Sequence, residues 1–431
     1  MPSLIERLLP DYDEALDLDG FSGRRLASRL SAIAEIGLTA EDGSCRPGYS
    51  PAEKKAKDLV CDWMRDAGLA VRRDAAGNCF GRLAGRSDHL PVVLCGSHID
   101  TVPNGGHFDG VLGVLLALET AEMWKATGFE PERPYEIVIF SEEEGSSFNV
   151  GCVGSSAIVG APLIEQLAGV SDHDGRSFSS AVEHVGLSLA DFPAARRDLS
   201  QIAAFVEVHI EQGLVLEGHG LPIGIVSGIC GLVSLETTVT GQAGHAGTTP
   251  MTYRHDALVA ASRIVAAVSE LPGQVSDTAV ATVGQLNVSP NGSNVVPGKV
   301  RFSVDIRDVA TEPLERLVAR IVETATHLAE TAGVTLSWTR TFSQPPIAVD
   351  EKLKEQQAEA MRAVNLVAFE LPSGAGHDAM VMGEHVPMAM FFVRSKDGIS
   401  HNPREFSSLN DCATAAHALS RFLTRLVSNT D

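Results

Sequence analysis

Three stretches of this chain place metal-ligating side chains at the ends of apolar runs, and a fourth adds a loop histidine. GSHIDTVPNGGHFDG, at residues 96–110, sets His98, Asp100 and Asp109 among glycines, directly after Val92-Val93-Leu94-Cys95. The run Tyr135 to Phe140 passes into Ser141-Glu142-Glu143-Glu144-Gly145, and the run 204–208 ends on His209. Near the C-terminus, Gly398-Ile399-Ser400-His401-Asn402-Pro403 supplies another loop histidine. Imidazole and carboxylate are borderline-to-hard ligands that suit zinc, manganese or cobalt. One metal takes three or four such groups, so this supply points to two divalent ions. Each cluster alone has a plainer explanation. His-x-Asp near a strand end serves turns and caps, three consecutive glutamates form a solvated face, and a single histidine is most often structural. The combination carries the metal reading, because each of three clusters follows an apolar strand.

The elements that must hold these groups can be read from the same chain. Ser50-Pro51-Ala52-Glu53 has the capping-box pattern with proline at the first helical position, and Gly68 ends that helix. A hairpin through Ala76-Gly77-Asn78, a strand at 92–97, a helix from about 110 to 127 and the strand 135–140 follow. Continuous apolar strands alternating with helices predict an α/β domain with a mostly parallel sheet covered on both faces. Ligands in such sheets gather beyond the carboxyl ends of the strands, where the polar clusters lie. From about 227 the rhythm changes: strand 232–240, helix 256–271, strands 279–288 and 299–307, helix 311–332, strand 334–340. That βαββαβ order predicts a ferredoxin-like α+β domain. The expected organisation is a discontinuous catalytic domain, 1–226 and 341–431, with 227–340 inserted as a lid and dimerisation domain.

Bulk composition narrows the partners. At 431 residues the chain exceeds one ordinary hydrophobic core. Its net charge of −21 argues against nucleic acid and against an anionic membrane surface, both of which need basic patches. A small anionic substrate stays possible, since a few local arginines outweigh a distant field. The seven cysteines are scattered with no C-x-x-C pair, which fits reduced thiols. The first twenty residues lack the apolar core of a signal peptide, and no apolar run is long enough to span a bilayer. A cytoplasmic protein is expected.

These motifs, together with VHIEQG, GQAGHAGTTPM, NVVPG, SVDIRD, SGAGHDAM and GISHNPRE, resemble those of the binuclear metallo-amidohydrolases related to aminoacylase and bacterial glutamate carboxypeptidase. Within them the chain looks most like the hydantoinase/carbamoylase branch, over roughly residues 20 to 425. The resemblance implies that His98 binds one metal, Asp109 bridges both, and Glu144 and His401 bind the other. His209 would stand where the peptidase relatives carry a carboxylate, which marks the carbamoylase branch. Asp100 would orient His98, and Glu143 would be the general base. His245 would be a lid histidine reaching the partner subunit's site in a homodimer. Asn294 and Arg307 would hold a substrate carboxylate, Gln212 would contact the ureido end, and Gly376 would line the substrate site. His377 and Asp378 belong near the site without an assigned role. A plainer role for Arg307 is pairing with Asp305 or Asp308 on a sheet surface.

The implied reaction is metal-dependent hydrolysis of the carbamoyl C–N bond of N-carbamoyl-L-amino acids. Allantoate amidohydrolase and β-ureidopropionase are the alternatives in the branch. A peptidase or aminoacylase fits His209 less well. An inert binding protein has no need to keep a base beside two metals.

Overall fold

The apolar patterning is realised locally much as its periodicity requires. The Pro51–Asp66 helix starts with the Ser50 hydroxyl accepting the Glu53 N–H at 3.1 Å. Glu53 itself departs from the capping box. Its buried carboxylate accepts the Tyr49 N–H at 2.6 Å and pairs with Lys57 at 2.5 Å. The computed structural model describes residues 3–429, and these divide into two compact units.

The first unit runs up to Ser227, resumes over Val349–Leu371, and continues from His377. Its sheet runs in the order Ala70–Arg73, Cys79–Leu83, Tyr135–Phe140, Val92–His98, Ile202–Ile210, Met388–Val393, Ile223–Ile229. The four strands from Tyr135–Phe140 to Met388–Val393 are mutually parallel, and the flanking pairs are antiparallel. Val92–His98 has its two successors in the parallel set, Tyr135–Phe140 and Ile202–Ile210, on opposite sides. It is therefore a switch point, and the space beyond its carboxyl end is open to ligands. Every residue of Val92–His98 and of Tyr135–Phe140 is buried, as a sheet covered on both faces demands. The strand expected to stop at 208 continues to Ile210, so His209 sits inside it.

The Val111–Thr127 helix packs on Val92–His98 and against the Leu409–Ser428 helix. Residues Val111 to Ala121 of this helix are all buried, so it is covered around its whole circumference over that length, with the Glu119 carboxylate paired to Arg25 and Arg29. It lies very close to the sheet. A Cβ on Gly113 would stand 2.1 Å from the Val208 carbonyl oxygen.

The second unit comprises Gly228–Ala348 and Pro372–Gly376. Its antiparallel sheet runs Leu286–Ser289, Lys299–Asp308, Gly231–Thr240, Thr335–Gln344. Helices Ala257–Glu270 and Thr311–Thr331 share a core with it, built on Val233, Leu235, Val300, Phe302, Val304, Ile306, Ile264 and Leu317. The strand expected at 279–288 is broken into Val280–Thr282 and Leu286–Ser289, both paired with Lys299–Asp308. Gly284 lies in the gap, and glycine weakens a strand interior. The last strand extends beyond 340 because the ladder continues to Gln344 opposite Leu232. Its side chains are mostly exposed, so apolar alternation carries no signal for its end. Residues 341–348 and 372–376, expected in the discontinuous domain, fall in the second unit, and Ser227, expected in the inserted domain, falls in the first. Among the described residues, no helix is long and apolar enough to cross a membrane.

Alanine in place of glycine within a helix ordinarily stabilises by about 0.5–1 kcal/mol. At Gly113 the sign should reverse, because the added methyl meets backbone that cannot swing away; overpacking costs about 1–3 kcal/mol. Gly113→Ala should lower the melting temperature by several degrees. A rise in thermal unfolding temperature would show that the helix can retreat from the sheet.

Candidate metal centre

Three neighbouring strands of the first unit deliver the central groups. Val92–His98 ends on His98, and Ile202–Ile210 carries His209 one residue before its end. Tyr135–Phe140 stops just short of the glutamates. There Glu142 adopts a left-handed backbone (φ 51°), so the triplet leaves strand geometry. The main-chain carbonyls of Ser141, Glu142 and Glu143 accept the N–H groups of Gly154, Val153 and Cys152 at 2.8–3.1 Å. The Asp100 carboxylate accepts the N–H groups of Glu143 at 3.3 Å and Glu144 at 3.1 Å. Two consecutive glutamates are thus held in place by their backbones and can point to different tasks.

Asp109 is the common member of two ligand groups. His98, Asp109 and His209 form one, and Asp109, Glu144 and His401 form the other, each compact enough for a single ion. Asp109 divides its oxygens between them. Oδ1 lies 3.4 Å from His98 Nε2 and 3.1 Å from His209 Nε2, while Oδ2 lies 3.6 Å from His401 Nε2. His401 Nε2 is also 3.3 Å from Glu144 Oε2. Glu143 belongs to neither group, yet its Oε2 is 3.7 Å from His98 Nε2. Gly110, which follows Asp109, has φ 64°, and a Cβ there would lie 2.5 Å from the His98 ring.

The tautomers of the two buried imidazoles show what this arrangement fits. His98 Nδ1 is 3.0 Å from the Asp100 carbonyl oxygen, and His209 Nδ1 is 2.9 Å from that of Ile210. A carbonyl can only accept, so each Nδ1 donates and each neutral ring presents its Nε2 lone pair. The Gly110 N–H donating to His209 Nε2 at 3.2 Å agrees with this. Two lone pairs then face one buried carboxylate oxygen, an arrangement that repels unless a cation lies among them. The donor set fits a divalent metal. Asp100 meets His98 Nδ1 through its main-chain carbonyl; its carboxylate stands farther off, at 3.6 Å.

The charges around these groups tell the same story. Burial opposes a charged imidazole, yet Glu143, Asp109 and Asp100 hold the His98 pKa well above its ordinary value. Asp109 likewise raises His209 against burial. Burial also raises a carboxyl group, but His209 and His98 keep Asp109 well below the usual range. Glu143 goes the other way. Burial first, then Asp378 and Glu144, push it well above an ordinary carboxyl despite the neighbouring His98. The hydrogen bond to Glu144 brings His401 up to about 9. The buried carboxylates and imidazoles thus call for positive charge among them.

Several residues at this centre carry no signal of their own in the sequence. Glu405 is buried, and its Oε1 accepts the N–H groups of Phe108 at 2.9 Å and Asp109 at 3.1 Å. The Ser400 hydroxyl lies 2.8 Å from both Glu405 Oε2 and Asp109 Oδ2. Both residues flank His401 within GISHNPRE, and that adjacency is the only sequence clue to them. Buried Glu207 accepts from Ser97 Oγ at 2.6 Å and from the Ala379 N–H at 2.9 Å. Its place between Val206 and Val208 on a central strand disguises it. Gln212 (φ 58°) donates Nε2 to Asp109 Oδ2 at 2.7 Å, while its buried Oε1 has no partner. His377 packs on His209 with ring centroids 4.6 Å apart, and Asp378 accepts from Ser155 Oγ at 2.6 Å.

The remaining expected residues lie in the second unit. His245 is exposed, and its Nδ1 accepts the N–H groups of Gly247 at 3.1 Å and Thr248 at 3.2 Å. Its neutral ring therefore keeps a hydrogen on Nε2. Strand pairing sets Val295 opposite His245, and the Asn294 carbonyl accepts the Ala246 N–H at 2.9 Å. Arg307 pairs with Asp305 and reaches the Gly374 carbonyl. Gly376 is exposed at the end of the Pro372–Gly376 segment.

Comparison with known proteins places this centre in context. Residues 94–425 match the peptidase family M20/M25/M40. The chain is 41% identical over 397 residues to the N-carbamoyl-L-amino acid amidohydrolase of Geobacillus stearothermophilus, covering 92% of this chain and 97% of that protein. It is 36% identical over 394 residues to the allantoate amidohydrolase of Bacillus subtilis (strain 168), covering 91% and 95% respectively. A hydantoinase/carbamoylase family amidase from Burkholderia multivorans superposes with a TM-score of 0.88 at 35% identity, over 95% of this chain and 99% of that one. With that match and two ligand groups meeting at one aspartate, the chain belongs to peptidase family M20/M25/M40, whose members are metal-dependent hydrolases.

Proposed function

We propose that this protein hydrolyses the carbamoyl C–N bond of N-carbamoyl-L-amino acids: substrate and water give the amino acid, ammonia and carbon dioxide. The observation that carries a hydrolytic reading is the division of Asp109 between two ligand groups with Glu143 alongside. Similarity to the Geobacillus enzyme and the histidine at position 209 favour a ureido substrate over a peptide. Similarity to the Bacillus protein keeps allantoate as the second reading.

His98, Asp109 and His209 would hold one divalent cation and Asp109, Glu144 and His401 the other; zinc, manganese and cobalt all suit these donors. When bound, such a pair polarises a carbonyl and lowers the pKa of a shared water. Glu143 accepts the proton of the attacking water and returns it to the leaving nitrogen. Its raised pKa suits a group that must both take and give a proton. Asp100 steadies this machinery through the N–H groups of Glu143 and Glu144 and through its carbonyl on His98. The unpartnered Gln212 Oε1 is a buried acceptor suited to a ureido N–H. Arg307 and Asn294 hold the carboxylate, and Gly376 lines the substrate site. His245, with its hydrogen on Nε2, donates to the oxyanion in the partner subunit's site of a cytoplasmic homodimer.

The functional reading is tested by ammonia release from a panel of N-carbamoyl-L-amino acids, N-carbamoyl-β-alanine and allantoate, with each metal added to the chelated protein. N-carbamoyl-L-amino acids should be turned over fastest. Preference for allantoate would install the second reading, and full activity in excess chelator would end both.

The two groups share only Asp109, which gives an asymmetric expectation for metal content. His401→Ala should lose one ion and keep the other, whereas Asp109→Ala should lose both. Elemental analysis of the purified variants reads this directly; equal metal in His401→Ala and wild type would remove His401 as a ligand. Glu143→Gln should keep wild-type metal content and lose turnover by about 10²–10⁴-fold, the usual contribution of a general base. Near-normal turnover would rule Glu143 out as that base.

A further inference from the structure

The strand Lys299–Asp308 alternates strictly. Val300, Phe302, Val304 and Ile306 enter the core of the second unit, so Arg301, Ser303, Asp305 and Arg307 share the opposite face. Asp305 and Arg307 are neighbours on that face, two residues apart. Their contact is two-pronged: Arg307 Nε donates to Asp305 Oδ1 at 2.8 Å and Nη2 to Oδ2 at 3.1 Å. The other terminal nitrogen, Nη1, donates to the Gly374 carbonyl at 2.6 Å. That carbonyl belongs to a tethered segment, since the Cys230 N–H donates to the Ser373 carbonyl at 2.9 Å.

Counting donors shows what is left. A guanidinium has five N–H groups in one plane. Three are engaged, so one N–H remains on each of Nη1 and Nη2. The side chain stays 32% accessible and that of Asp305 38%, so the pair is not sealed in a core. An ion pair this exposed adds little to folding stability. A purely structural role is therefore a weak account of a guanidinium fastened at three of its five donors.

Resting on the reading in which Arg307 binds the substrate carboxylate, we infer that Asp305 is a positioning residue for that subsite. Asp305 grips the guanidinium by its Nε edge and Gly374 holds Nη1. The leftover N–H groups on the two terminal nitrogens form a preset fork for one planar carboxylate. Asp305 also cancels the charge of Arg307. Recognition then depends on where the donors point more than on net attraction, in a chain whose formal charge is −21. The side chain that could have been a competitor for Arg307 instead fixes its orientation.

The test is Asp305→Asn, with Asp305→Glu beside it, in the metal-loaded full-length enzyme. With the best N-carbamoyl-L-amino acid of the panel, Asp305→Asn should raise KM about tenfold to a hundredfold, the range for losing a charge-assisted contact, with a smaller fall in kcat. Asp305→Glu restores the charge on a longer arm and should recover part of the loss. On the matching substrate whose carboxylate is a neutral amide, Asp305→Asn should change KM little. The salt dependence of KM should steepen in Asp305→Asn, because Arg307 then acts as an uncancelled charge. An unchanged or lower KM, or equal losses on acid and amide, would overturn the positioning role while the wild-type activity stands. Wild-type inactivity on every carbamoylated acid would instead overturn the functional reading, and this inference with it.

Discussion

The centre depends on one buried carboxylate shared between two sets of partners. Asp109 is almost wholly enclosed, yet its two oxygens face three imidazole nitrogens. Burying an ion is costly unless opposite charge compensates it. Here the compensation must come from cations or protons, because the nearest imidazoles already spend their Nδ1 hydrogens on carbonyls. The surrounding surplus of buried carboxylates makes the same demand. Glu143, Glu144, Glu207 and Asp378 are all displaced upward by burial first, and like charges add to this for Glu143, Glu144 and Asp378.

Meeting that demand has shaped the chain around the sheet ends. Glu142, Cys152, Gln212 and His401 all hold left-handed backbones, which cost on the order of 1–3 kcal/mol each when imposed on ordinary residues. They persist because neighbouring structure leaves the backbone no alternative. The carbonyls of Ser141, Glu142 and Glu143 are tied to the start of the Val153–Val159 helix. Glu405 clamps the turn that carries Asp109 from 296 residues away in sequence. The two turns that carry Asp109 and the glutamates are each pinned by a partner from another element.

The second unit follows an independent logic. Its two helices and five-stranded sheet bury their own apolar faces in a core of their own. The side chains proposed to meet substrate stand on the opposite sheet face and on short segments. His245 is oriented by two N–H groups of its own loop, and Arg307 by a neighbour on its own strand. In both, local hydrogen bonds decide which side-chain nitrogens are already engaged.

The amino-acid sequence by itself determined the ligand types, their delivery at the ends of apolar strands, and the βαββαβ order of the second unit. All of these follow from local chemistry and from periodicity, which a linear chain displays openly. The sequence also left Arg307 with two possible partners, Asp305 and Asp308. Tertiary structure chose: Asp308 turns the other way, buried with Thr278 and the Ala310 N–H, while Asp305 shares the face of Arg307. The tertiary structure alone also decided that Asp109 divides its oxygens between groups drawn from distant segments, that Glu405 and Ser400 brace it, and that Asp100 meets His98 through its main chain. The reason is physical. Periodicity fixes which face a side chain takes, but the partner it meets there is set by packing between segments hundreds of residues apart.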